Sequence, residues 1–147
     1  MRQFIRHIAT VLTLGVIAML LNSCTQPGGN IGVYFGSWVL KSITIDGEDA
    51  PDYTIPVCLS FQSNIFDMAM IDYPELVGVW EETDGYLTLT AEKEWQPEEI
   101  HHYPPVMGWG DYGTVTLLIL RKSDKHLDLQ WTDPEGRVWK YYFKKAY

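Results

Sequence analysis

The chain has 147 residues, enough for one domain with its own hydrophobic core. Acidic residues outnumber basic ones by 19 to 11, for a formal charge of −8. That balance argues against a nucleic-acid partner, because phosphate binding depends on clustered Lys and Arg.

Residues 1–23 have the three parts of a secretory signal. Arg2 and Arg6 supply the positive start, and Ile8–Leu21 is apolar apart from Thr10, Thr13 and Gly15. This run of 14 residues has the length of a signal segment and falls short of the ~20 that a membrane-spanning helix needs. It ends in Leu21-Asn22-Ser23-Cys24, which resembles the lipobox of bacterial lipoproteins: a Leu three residues before the Cys and a small residue just before it. The resemblance implies that the Cys24 thiol receives a diacylglyceryl group, that the leader is removed, and that the new amino terminus is acylated. Several acyl chains anchor firmly where one anchors marginally. Thr25-Gln26-Pro27 contains no counterpart of the Asp that holds such proteins on the inner membrane. The expected location is therefore the outer membrane, on its periplasmic face or at the cell surface.

Without the leader, 124 residues remain, with 9 basic and 19 acidic side chains and a formal charge of −10. With Cys24 acylated, Cys58 is the single remaining thiol and has no internal disulfide partner. It has no basic or His neighbour in sequence to activate it, so it is expected to pack quietly in a sheet. Residues 24–33 then form the lipidated Cys and a tether, in which Gln26-Pro27-Gly28-Gly29-Asn30 holds no regular structure. Residues 34–147 form the domain.

Helical periodicity is absent from that domain, and alternating strand-like runs replace it. The first spans Tyr34–Ile45, where the apolar parity switches from Trp38 and Leu40 to Ile43 and Ile45, predicting a bulge near Lys41-Ser42. Asp46-Gly47 ends it. Pro56–Gln62 follows, with Val57, Leu59 and Phe61 on one face. Ser63-Asn64 then turns the chain into Ile65–Ile71, whose inner face is Phe66, Met68 and Met70. Tyr73-Pro74 is expected to break the pairing before a short strand, Val77–Glu82, that carries Trp80. Asp84-Gly85 is a two-residue hairpin signal leading into Tyr86–Ala91. Thr114–Lys122 is apolar enough to be buried on both faces. Lys125–Thr132 sets Leu127, Leu129 and Trp131 against polar partners. After the Asp133-Pro134-Glu135-Gly136 turn, Arg137–Lys145 sets Trp139, Tyr141 and Phe143 on one face.

Eight strands joined mostly by short turns predict an all-β domain, an antiparallel up-and-down barrel that leaves no exposed edge, with an open β-sandwich as the alternative. Gly36-Ser37-Trp38 at the start of the first strand resembles the Gly-X-Trp opening of lipocalins. Together with Gly78-Val79-Trp80 in mid-chain and the aromatic final hairpin, it resembles the lipocalin-like lipoproteins of Bacteroidetes over about Tyr34 to Phe143. The resemblance implies an eight-stranded barrel that binds a small apolar or amphipathic molecule.

One connection stands out, Lys93–Tyr112, far longer than a hairpin needs. It carries Trp95, Tyr103, Trp109, Tyr112 and the pair His101-His102. Either it folds over one barrel end as a plug stiffened by Pro104-Pro105, or it is a contact surface. Adjacent His side chains diverge on an extended chain, so no metal site is assigned, and no cofactor is implied. Catalytic signatures such as Gly-X-Ser-X-Gly, a phosphate-cradling Gly loop or paired Cys are lacking, and no enzymatic activity is expected. The interior is expected to be filled by bulky side chains, or to be a cavity open at one mouth.

The candidate contact residues for a ligand or partner are Trp38, Trp80, Trp95, Tyr103, Trp109 and Trp139. Two functions follow: a membrane-anchored monomer whose barrel binds a small apolar or amphipathic ligand, or an accessory module that meets an envelope protein through the 93–112 loop on a filled barrel.

Overall fold

The computed structural model describes residues 32–50, 53–54, 56–96 and 101–146. The leader, Cys24 and the tether up to Ile31 lie outside the described residues, as do residues 97–100 of the long connection.

A 3-10 turn, Gly32–Tyr34, leads into nine strands: β1 (Gly36–Ile45), the two-residue β2 (Glu48–Asp49), β3 (Val57–Gln62), β4 (Ile65–Met70), β5 (Tyr73–Thr83), β6 (Tyr86–Thr90), β7 (Thr114–Lys122), β8 (His126–Thr132) and β9 (Val138–Lys145). Each long strand pairs antiparallel with its neighbours in sequence, and β1 also pairs with β9, from Trp38↔Lys145 to Ile45↔Trp139. That last ladder closes β1 and β3–β9 into an eight-stranded barrel and excludes the open sandwich. Its near end holds the Gly32–Tyr34 turn, three tight hairpin turns and Lys145. Its far end holds the longer connections, 46–56 and 91–113, and the 133–137 turn.

Alternation accounts for the interior. Trp38, Leu59, Phe61, Phe66, Met68, Leu89 and Phe143 all point inward and are 0% exposed, so no void that a water molecule can enter touches them. Burying each such side chain contributes roughly 1.5–3 kcal/mol. The predicted bulge is present: the β1–β9 register jumps between Leu40 and Ser42, which lets Leu40 and Ile43 both face the core. The Asp84-Gly85 hairpin forms with φ of 53° and 81° at its two turn residues, a left-handed pair that matches strand twist.

Two local expectations are corrected. Tyr73-Pro74 does not interrupt pairing, because β5 begins at Tyr73 and the turn lies at Ile71-Asp72. Pro74 is accommodated because the β4–β5 register is irregular between Met68 and Met70, and β6 pairs with β5 only from Val79 onward, so no partner requires its missing N–H. Nor is β7 buried on both faces: Val115 and Leu117 are buried, whereas Leu120 on the outer face is exposed. Cys58 is a half-buried free thiol on β3, paired opposite Ala69.

Candidate functional site

The β6–β7 connection is a plug. Beyond a 3-10 turn at Lys93–Trp95, the chain returns through an isolated bridge, His102↔Asp111, with Tyr103 N–H donating to the Gly110 carbonyl at 2.8 Å and Tyr112 N–H to the His101 carbonyl at 3.0 Å. Tyr103, Met107 and Trp109 from this segment are buried at the far end. The Trp109 indole N–H donates to the Tyr141 hydroxyl (2.8 Å), which donates to the Met107 carbonyl (2.6 Å), while the Tyr103 hydroxyl donates to the Gly113 carbonyl (2.6 Å). Burial pushes both phenol pKa values up, so the two groups stay protonated and keep donating. Gly108, at φ 72°, closes the Pro105–Met107 turn where a Cβ would strike the Trp139 ring.

The six candidate aromatics therefore disperse. Trp38 is a floor residue at the near end: its indole donates to the Tyr34 carbonyl (2.9 Å), and the Lys145 ammonium lies 5.0 Å from its ring centroid. Trp80 is half-buried at the same end against Tyr34 and Phe61. Tyr103 and Trp109 are in the plug. Trp139 is fixed at the far end by its indole bond to Asp133 (3.0 Å). Trp95 alone is well exposed, at 52%. The His pair is divided between functions: His102 Nδ1 lies 3.0 Å from the Tyr73 hydroxyl, and His101 contributes its carbonyl to the bridge. Among the described residues, no group of three His, Cys, Asp or Glu side chains is arranged to hold an ion.

A site emerges where strands part company. A barrel with strands of unequal length must cover the backbone that outruns its neighbour. Beyond Val39, where β3 leaves β1, the 46–53 segment takes over: β2 pairs with Thr44 and Ile45, Ala50 N–H donates to the Ile43 carbonyl (2.9 Å), and the Tyr53 hydroxyl donates to the Leu40 carbonyl. Below Val79, where β6 leaves β5, the Gln96 side-chain amide mimics a strand, accepting from Val77 N–H (3.1 Å) and donating to Val77 C=O (2.6 Å). Between β7 and β8 nothing equivalent occurs among the described residues. Their ladder runs from Lys122↔Leu127 to Leu118↔Gln130 and stops, so Thr114–Leu117 and Trp131–Thr132 are not paired with each other in it.

The parted strands open a cleft of about 530 Å³ in the far-end wall. Trp109 and Trp131 line it together with Tyr86, Leu118, Gln130 and three threonines, Thr114, Thr116 and Thr132. Both indoles are held from behind, Trp131 against Trp139 (centroids 6.2 Å apart) and Trp109 by Tyr141. Of the aromatics singled out from the sequence as contacts, only Trp109 reaches the cleft. Trp131 was legible as an inward-facing residue, but not as part of a site, because the site depends on where a ladder ends.

No protein-family model and no curated protein matches the chain. Solved structures do. A lipocalin-like protein from Bacteroides uniformis ATCC 8492 superposes with a TM-score of 0.60 at 20% identity, covering 78% of this chain and 99% of that one. An uncharacterized protein from Bacteroides eggerthii DSM 20697 gives 0.55 at 23% identity, covering 77% and 99%. The chain thus has a lipocalin-like fold, the one expected from Gly36-Ser37-Trp38 and the strand order.

Proposed function

We propose that this chain is a lipid-anchored protein of the outer membrane, monomeric, that acts by binding a small amphipathic molecule and not by catalysis. The β7–β8 cleft carries the binding half of that reading. There the wall leaves aromatic surface and polar groups together at the scale of a small-molecule site, about 530 Å³. A ligand along the barrel axis is disfavoured, since the side chains there are closed to water and the plug occupies the far mouth. The anchor half rests on the basic, apolar leader and on Leu21-Asn22-Ser23-Cys24. The described chain enters the barrel at the near end while the cleft opens at the far end, an arrangement that suits a tethered receptor.

Native mass spectrometry of the purified full chain tests the binding half: a retained small molecule that disappears with Trp131→Ala is expected, and an empty spectrum for the unaltered protein counts against it. For the anchor, Cys24→Ser should abolish metabolic labelling with a fatty acid and release the protein from membranes, and unchanged labelling would refute it. The exposed Trp95, preceded by Glu92 and Glu94, favours a second reading in which the loop meets an envelope protein. Trp95→Ala would then weaken a partner pull-down without touching small-molecule retention.

A further inference from the structure

We infer that the ligand of the β7–β8 cleft is a neutral saccharide of one or two rings, lying on Trp131 and hydrogen-bonded by Gln130, Thr116 and Thr132. This rests on the cleft being a binding site, and three observations select the class of occupant.

The first is charge. Among the described residues, no Lys, Arg, His, Asp or Glu lines the cleft, and the chain as a whole is acidic, with a formal charge of −8. An anionic ligand would meet repulsion without a partner, and a cation would find no carboxylate.

The second is the state of the polar groups. Among the described residues, the hydroxyls of Thr116 and Thr132, the Gln130 amide and the Trp131 indole N–H make no hydrogen bond, whereas Thr114 is already bonded to Thr90 at 3.0 Å. A hydrocarbon chain seated here would bury these groups unsatisfied, which opposes binding. Sugar hydroxyls both donate and accept, so they can answer the donor-only indole, the amide and the hydroxyls alike.

The third is the rings. Trp131 is half-buried and braced by Trp139, which Asp133 in turn fixes, so its face is set before any ligand arrives. A rigid indole face suits the flat C–H side of a pyranose, and bracing reduces the ordering cost of binding. A small polar solute without such a face would leave the ring unused.

The test uses the full chain purified in a sugar-free zwitterionic detergent. Glucose, maltose and cellobiose are titrated against glucuronate and decanoate, with tryptophan fluorescence and the NMR signals of the Trp131 indole and Gln130 amide as readouts. Saturable shifts of both signals are expected with at least one neutral sugar, and not with glucuronate or decanoate. Trp131→Ala should weaken that binding roughly tenfold or more, equivalent to about 1.4 kcal/mol. Gln130→Ala, on the outer face where folding is not at stake, should weaken it as well. Saturation by decanoate but by no sugar would overturn the saccharide assignment and leave the cleft a binding site. Glucuronate binding as well as glucose would overturn the requirement for neutrality. Silence of both signals toward every probe would overturn both this inference and the cleft as a binding site.

Discussion

The indole N–H of Trp109 and the hydroxyl of Tyr141 meet at 2.8 Å, and this bond joins the plug to the last strand. Because the same hydroxyl donates to the Met107 carbonyl at 2.6 Å, one oxygen on β9 holds two points of the plug. Tyr141→Phe keeps the ring and removes that oxygen, leaving a buried donor and a buried acceptor unpaired. The expected cost is about 2–4 kcal/mol in urea unfolding, from two such groups. Amide exchange across 101–113 should rise with it. A stability loss without faster exchange there would show that the plug is held by packing alone.

Gly78 shows why a Gly precedes Trp80. A Cβ at this position would overlap the Thr90 carbonyl oxygen and the Phe66 ring, one of them backbone and the other locked in the core. Gly78→Ala should therefore destabilise by about 1–3 kcal/mol through overpacking. Pairing it with Phe66→Leu should recover part of the loss, and purely additive effects of the two changes would contradict the steric explanation.

Asp133 ties the β8–β9 turn to Trp139. Its buried carboxylate accepts from the backbone N–H groups of Glu135 and Arg137, both at 2.9 Å, and from the side chains of Arg137 (2.7 Å) and Trp139 (3.0 Å). Burial pushes its pKa up, but these bonds and the Arg137 charge outweigh it and bring it from 3.8 to about 2. A carboxyl whose pKa is depressed on folding stabilises the protein above its unfolded pKa, and that contribution fades as pH falls through the folded value. The melting temperatures of the native protein and Asp133→Asn should differ at pH 6 and converge as pH falls from about 4 toward about 2. A gap that stays constant through that window would contradict the assignment.

At the near end, Lys145 covers the Trp38 ring and donates to the Val33 carbonyl at 2.8 Å. Lys145→Met keeps the aliphatic stem and removes the charge, and should cost roughly 1–2 kcal/mol from the lost cation–π contact and hydrogen bond. An unchanged urea midpoint would mean that the ammonium contributes nothing beyond its stem.

Most of the barrel was legible because a strand with one wet face must alternate, and Leu127-Asp128-Leu129 or Trp139-Lys140-Tyr141 does so residue by residue. The bulge at Leu40/Ser42 was legible for the same reason, as a change of parity. The apolar run Val115–Leu120 misled, since hydrophobicity alone does not say which face water touches, and Leu120 is on the wet one. Pro74 misled because the cost of a missing N–H depends on whether a partner waits for it. The cleft was illegible for a related reason: no residue of Thr114–Leu117 or Trp131–Thr132 announces that its strand has outrun the other. Aromatic content drew attention to the loop, and the loop spends most of its aromatics closing the barrel.

The β1–β9 ladder has a temporal consequence. Its partners, such as Trp38 and Lys145, are the first and last strands to be made, roughly a hundred residues apart in sequence. Until the final strand is available, β1 carries a bare edge, and the chain is an open sheet able to recruit other copies of itself. Clipping even a few C-terminal residues should turn a closed barrel into an aggregating open sheet, and a C-terminal fusion would emerge beside the Gly32–Tyr34 turn.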